Sequence, residues 1–189
     1  MDKQEFIRRF QHIRQVEPEH DFPLNQPGKP AAVLIPIIER DEHLTVLFTQ
    51  RSSHLKHHPS QVSFPGGKQE PFDNDLVETA LRETHEEIGI SADKVSVLGS
   101  LQKFRTVSRY EVTPFVSMVT PDFTLTLDTN EVESTFEVPL LHVLNQDNHL
   151  IHWVNRGNKR QAIYFIPWQD KMIWGATAAF VRILSKHVS

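Results

Sequence analysis

Apolar residues run without interruption from Ala31 to Ile38 (AAVLIPII), which predicts a buried strand. A charged turn, Glu39-Arg40-Asp41-Glu42, separates it from a second strand over Leu44–Thr49, so a hairpin is expected. Before them, Phe6, Phe10 and Ile13 recur at helical spacing and predict an amphipathic helix within residues 1–17. Pro18, Pro23, Pro27 and Pro30 then make 18–30 an extended crossing. The most distinct helix is Asp75 to Ile88. Asp75 is its N-cap, Glu78 completes a capping box, and Gly89 stands at the C-cap. Val77, Ala80, Leu81, Thr84 and Ile88 would face a core. Strands are expected at Val95–Leu101, Val112–Val119, Val132–Val138 and Ala162–Pro167. A short helix over Pro139–Leu144 and a closing helix over Ile173–Lys186 complete the pattern. Strands interspersed with helices argue for one layered α/β domain, 31–189, with 1–30 as part of the same unit.

Composition narrows the chemistry. The 189 residues include no cysteine, which removes disulfides, thiolate nucleophiles and thiolate metal sites. No stretch approaches a membrane span, and the charged N-terminus has no apolar core, so a cytoplasmic protein is expected. The net charge of -4 offers no general attraction to nucleic acid or to an anionic membrane.

Glu83, Glu86 and Glu87 are related by three and four positions, so on a helix they share one side. Three acids alone are the pattern of a solvated acidic face. As ligands, their oxygens suit Mg²⁺ or Mn²⁺. Arg82 can reach Glu78 or Glu86 and offset their repulsion. Upstream, Ser63-Phe64-Pro65-Gly66-Gly67-Lys68 is a glycine turn that lets backbone approach a ligand, with Lys68 as a cation for phosphate. The polar segment 50–74 is long for a loop without structure, as functional loops are. His54, His57 and His58 lack a fixed helical face and cysteine partners, and read as non-metal residues.

From Gly67 to Ile90 the chain resembles the box of the Nudix hydrolase family. Arg82, Glu83, Glu86, Glu87, Gly89 and Ile90 match in register. The usual glutamate position holds Asn74 and the usual glycine position holds Lys68; one extra residue, with Asp73 as the acid, restores the fit. That longer spacing is similar to the coenzyme A pyrophosphatase branch, here Gly66-Gly67-Lys68, Asp73, Thr79-Ala80-Leu81-Arg82-Glu83 and Glu86-Glu87. The stretch Leu47–Ser52, with Leu55, His58, Gln61, Val62 and Phe64–Gly67, resembles the same branch, except that Ser60 stands where it has glycine. Further likeness at 112–114, 130–132, 137–140 and 173–178 extends it over about residues 31–184.

The resemblance implies an α/β/α sandwich with a mixed β-sheet and a metal-dependent diphosphatase. Glu83, Glu86 and Glu87 would hold Mg²⁺ or Mn²⁺, and Arg82 would serve the same site. Relatives differ in the proton acceptor, so Glu83 and the outlying Glu131 both stand as candidates. Arg51, His58, Gly66, Gly67 and Lys68 would bind a small nucleotide substrate. Arg51 leads a set of cations (Lys56, Lys103, Arg105, Arg109) for a 3′-phosphate, with Phe104 and Tyr110 nearby for a base. Trp174 and Gly175 read as core packing at the start of the last helix. The implied reaction cleaves coenzyme A or its derivatives to 3′,5′-ADP and 4′-phosphopantetheine. The alternatives are a Nudix pyrophosphatase acting on ADP-ribose or another nucleoside diphosphate conjugate, and a non-catalytic nucleotide sensor. The oligomeric state is open, a dimer among the options.

Overall fold

A computed structural model describes residues 1–12, 16–19, 21–22, 26–41, 43–56, 58–156 and 159–189, without the side chains of Arg156 and Lys159. Ile13, Pro23 and His57, which carried sequence expectations, lie outside the described residues. In chain order the elements are α1 (Lys3–Gln11), β1 (Lys29–Arg40), β2 (His43–Arg51), β3 (Val62–Ser63), β4 (Gly66–Lys68), α2 (Leu76–Ile88), β5 (Val95–Ser100) and β6 (Phe104–Arg105). Then come β7 (Tyr110–Val119), β8 (Val132–Pro139), α3 (Leu140–Leu144), β9 (Leu150–Arg156), β10 (Lys159–Trp168), β11 (Lys171–Trp174) and α4 (Gly175–Val188).

The apolar run of β1 has its explanation in the layers on either side. Ala31, Ile35 and Ile37 point into the larger core, which also takes in Phe6, Phe180, Leu184 and Ile173. Ala32 and Leu34 point the other way, against Ala80 of α2 and Phe115. A strand buried on both faces has no polar alternation to show. The fold is thus an α/β/α sandwich with a mixed sheet. Among the described residues that sheet runs β3-β2-β1-β7-β5, with β4 beside β1, β6 beside β7 and β8 beside β2. β1 and β7 are parallel, whereas β1 and β2 form the expected antiparallel hairpin.

β1 divides one edge between two partners. Ile37–Arg40 pair with β2, and Ala31–Val33 pair with β4. The segment 50–74 therefore contains two short strands, and the glycine turn is fixed as part of the sheet. Its N-terminal neighbour is strained: His58 and Ser60 have φ of 56° and 57°. That left-handed backbone is what a glycine at position 60 would adopt without cost.

Three expectations are corrected. The first helix ends at Gln11, with His12 as its C-cap, rather than continuing to 17. β9 has no counterpart in the sequence reading. The last helix begins at Gly175, not Ile173, because Ile173 and Trp174 pair with Ile166 and Phe165 in a second sheet, β11-β10-β9. α4 lies between this sheet and the first; Ala178 through Ser185 are all buried. Arg182 and Ser185 are buried along with the apolar residues, so this stretch of the helix is covered on every side.

Candidate functional site

Local sequence sets α2 in place. Asp75 accepts from the Glu78 N–H at 2.8 Å. Gly89 ends the helix with φ 78°, its N–H donating to His85. The Glu78 carboxylate reaches one residue further back than a capping box requires, accepting from the Asn74 N–H and side-chain amide at 2.7 Å. Glu78 is thereby engaged, and Arg82 turns to other partners.

The glycine turn faces the acidic positions of this helix. The Gly66 N–H donates to Glu87 Oε2 at 3.3 Å. A Cβ on Gly66 would lie 2.3 Å from the Ala32 carbonyl oxygen and 2.6 Å from Val33 Cα, on a backbone with φ 153°. A Cβ on Gly67 would lie 2.5 Å from the Glu83 carboxyl carbon. The first glycine therefore allows the strand to join the sheet, and the second makes room for a carboxylate.

Arg82 organises that carboxylate from behind. Its Nε and Nη2 donate to the two oxygens of Asp73 at 2.9 and 3.0 Å. Its Nη1 donates to Glu83 and Glu86, both at 2.9 Å. Asp73 is buried and also accepts from Thr79 Oγ1 and the Glu70 N–H. The guanidinium and these donors hold the Asp73 carboxyl well below the usual carboxylate range. An ionised Asp73 beside an always-charged Arg82 is a bidentate pair with fixed geometry. The extra residue of the glycine-to-arginine spacing thus places Asp73 where it anchors Arg82.

The three glutamates do not share one solvated face. Glu86 is exposed, Glu83 is largely covered, and Glu87 is 3% exposed. Burial raises Glu87 to about 8, with the charges of Glu83 and Glu131 pushing the same way and Arg51 opposing them. Burial also raises Glu83, against the pull of Arg82. Glu131 lies on an exposed turn, yet its charge acts on both Glu83 and Glu87. Sequence spacing could not bring it there; the pairing of β8 with β2, which aligns Val132 with Arg51, does.

Arg51, His58, Gly66, Gly67, Lys68, Arg82, Glu83, Glu86 and Glu131 all border one cavity of about 830 Å³. Lys68 is exposed and paired with Glu70 at 2.9 Å. Of the other cations, Arg105 lines the cavity but is held by Asp21 at 2.7 Å, and Lys103 is paired with Glu111. The opposite wall includes Phe22, Phe104, Tyr110, Ile163, Tyr164 and Phe180. Phe104 and Tyr110 were singled out from sequence; the others come from three distant segments with no shared local signal. Trp174 is a correction: it is 39% exposed at the cavity, stacked on Phe165 at 6.2 Å, rather than buried in the core. A tryptophan at the junction of strand and helix fits core and rim equally well by pattern.

Among the described residues no three His, Asp or Glu side chains converge as ready metal ligands, and Arg82 holds two of the candidates. The donor chemistry nevertheless suits a hard cation. All the candidate donors are oxygens, and Glu87 is buried near two like charges with the Gly66 N–H as its donor.

The NUDIX domain profile matches residues 28–157. The chain belongs to the Nudix hydrolase family. A relative from Yersinia enterocolitica, an uncharacterized Nudix hydrolase called NudL, is 42% identical over 98% of this chain and 92% of its own length. NudL from Yersinia pestis is 39% identical over 98% of this chain and 94% of its own. Solved structures share the fold at low identity. A MutT/nudix family protein from Enterococcus faecalis covers 99% of this Nudix chain and 73% of its own, at a TM-score of 0.53 and 15% identity. A C. elegans Ap4A hydrolase covers 59% of this chain and 80% of its own, at 0.52 and 20%. The Nudix match leaves out the segments that supply Phe22, Ile163, Trp174 and Phe180 to the cavity.

Proposed function

We propose that this Nudix hydrolase cleaves the diphosphate bond of coenzyme A or its derivatives, releasing 3′,5′-ADP and 4′-phosphopantetheine. The observation that carries the reading is that Arg51, Glu83 and Glu131 border one large cavity beside the Gly66–Gly67 turn, with Glu87 buried against the Gly66 N–H. The box spacing through Asp73 and the stretch 47–67 support the coenzyme A branch over ADP-ribose.

Glu83, Glu86 and Glu87 would hold Mg²⁺ or Mn²⁺. When bound, a divalent ion neutralises diphosphate charge and acidifies the attacking water. The chain's own residues do the rest. Asp73 and Arg82 hold the Glu83 carboxylate against Gly67. Glu131 takes the proton as water oxygen bonds to phosphorus and the bond from that phosphorus to the bridging oxygen breaks. Arg51 would contact the diphosphate rather than the 3′-phosphate, a reading supported by its position on the cavity with Glu83 and Glu131. His58 and Lys68 line the approach.

Glu83→Gln, Glu87→Gln and Glu131→Gln should each lower kcat by about 100-fold or more with the fold retained, as expected for groups that act together at the reacting bond. Near-normal turnover in Glu83→Gln and Glu87→Gln would reject the assignment. Arg51→Ala should raise KM for coenzyme A and dephospho-coenzyme A alike. A rise confined to coenzyme A would move Arg51 to the 3′-phosphate.

A further inference from the structure

The loop that leads into α2 carries an exposed aromatic. The Asp73 N–H donates to the Glu70 carbonyl at 3.0 Å, closing a β-turn with Pro71 and Phe72 at its centre. Phe72 is 69% exposed, more than any other large apolar side chain among the described residues. Its ring centre lies 5.5 Å from Arg82 Cζ. The Arg82 side chain itself is only 18% exposed.

A guanidinium has five N–H groups, all in one plane. Arg82 makes five hydrogen bonds: two to Asp73, one each to Glu83 and Glu86, and one from Nη2 to the Lys68 carbonyl at 3.3 Å. Its edge is fully engaged, and only its faces remain for a further contact. A side chain with an oxygen acceptor at that position would compete with Glu83 for Nη1. A phenyl ring does not compete. It attracts the cation through its electron-rich face, and it keeps water and salt from the ion pairs beside it. The turn holds the ring there: the Glu70 N–H donates to Asp73 Oδ2 at 2.9 Å, so the backbone that carries Phe72 is tied to the same carboxylate that Arg82 grips.

We infer that Phe72 is a positioning residue for the reaction: its ring covers one face of the Arg82 guanidinium and holds it in the plane that presents the Glu83 carboxylate against Gly67. The inference rests on the proposed function in one respect, that Glu83 acts at the reacting bond. The identity of the nucleotide does not enter it.

The test compares wild type with Phe72→Ala and Phe72→Tyr through two readouts. The first needs neither metal nor substrate: hydrogen exchange of the Arg82 Nε–H, followed by ¹⁵N NMR in chelator and assigned by its loss in Arg82→Lys. Phe72→Ala should exchange faster, and Phe72→Tyr at the wild-type rate. The second is kcat with saturating Mg²⁺ and whichever nucleotide diphosphate wild type cleaves. Phe72→Ala should lower kcat by about two- to fivefold, the worth of an exposed cation–π contact. The deficit should widen between about 0.05 M and about 0.5 M KCl, because uncovered ion pairs are screened more than covered ones. KM should stay near wild type, and so should the melting temperature, since Phe72 is exposed. Phe72→Tyr, which keeps the ring, should restore kcat. Wild-type exchange in Phe72→Ala overturns the contact with Arg82 as the cause of any loss. Faster exchange with kcat unchanged overturns the positioning role, as does a loss of kcat that Phe72→Tyr fails to restore. Cleavage of ADP-ribose with coenzyme A left intact rejects the coenzyme A reading alone, and kcat of Phe72→Ala on ADP-ribose then decides the inference. Wild type that cleaves no nucleotide diphosphate rejects both.

Discussion

Gly66 and Gly67 are adjacent, yet their replacement should fail in different ways. Ala at 66 meets backbone atoms of β1 and a positive φ, neither of which yields. Gly66→Ala should cost about 3 kcal/mol or more, as overpacking and backbone strain combine. Ala at 67 meets the Glu83 carboxylate, which can be displaced from Arg82. Gly67→Ala should leave the melting temperature within a few degrees of wild type and lower turnover by at least about tenfold, since small misplacements at a reacting centre are costly. Thermal unfolding and kcat measured on both variants check the contrast. Glu87 provides a second residue-scale prediction. Its carboxyl titrates near 8 when folded, against 4.5 when unfolded. A raised folded pKa stabilises the folded state below pH 4.5, and that advantage is lost as pH rises toward 8. In chelator, wild type should lose stability across this window relative to Glu87→Gln, at no more than ~1.4 kcal/mol per pH unit. Urea unfolding midpoints at pH 5 and pH 8 read the difference; parallel slopes would mean that Glu87 is ionised throughout.

At the scale of elements, legibility followed locality. The Asp75 cap and the Gly89 terminus of α2 are written in adjacent residues, and both form as expected. The burial of Glu87 is not written there: the helix period puts it beside Thr84 and Ile88, but its identity argued for solvent. The start of α4 was misplaced because Ile173 and Trp174 suit either a strand or a helix, and only pairing with β10 decides. The loop before β3 carries a legible oddity, Ser60 in place of glycine, and the structure gives it a left-handed backbone. Ser60→Gly should therefore be neutral to stabilising by up to ~1 kcal/mol, relief of strain being partly offset by unfolded-state entropy. Equilibrium unfolding measures it; a loss of 1 kcal/mol would mean that the serine side chain has a role in the loop.

Across the whole molecule, the N-terminal segment and α4 are joined by buried charge. Glu19 pairs with Lys186 at 2.6 Å and Arg182 at 3.3 Å, and Arg182 lies over the Tyr164 ring at 4.8 Å. Tyr164 in turn lines the cavity. Removing one partner of a buried pair strands the other, at about 3–5 kcal/mol. Glu19→Gln should lose stability on that order, seen in chemical unfolding, whereas Lys3→Ala, which breaks an exposed pair with Glu39, should be nearly silent. The aromatic wall depends on the same long-range assembly. Phe22, Ile163 and Phe180 come from separate segments, which is why the Gly66–Glu86 part of the cavity lining was readable in one stretch of sequence and these three residues were not.

The central claim is the reaction itself. The most direct measurement is product analysis after incubation with Mg²⁺ or Mn²⁺ and a panel of coenzyme A, dephospho-coenzyme A, ADP-ribose, NADH and a diadenosine polyphosphate. The account predicts preferential conversion of coenzyme A to 3′,5′-ADP and 4′-phosphopantetheine, abolished by chelator and by Glu83→Gln. Preferential cleavage of ADP-ribose or the diadenosine compound, with coenzyme A left intact, would contradict it.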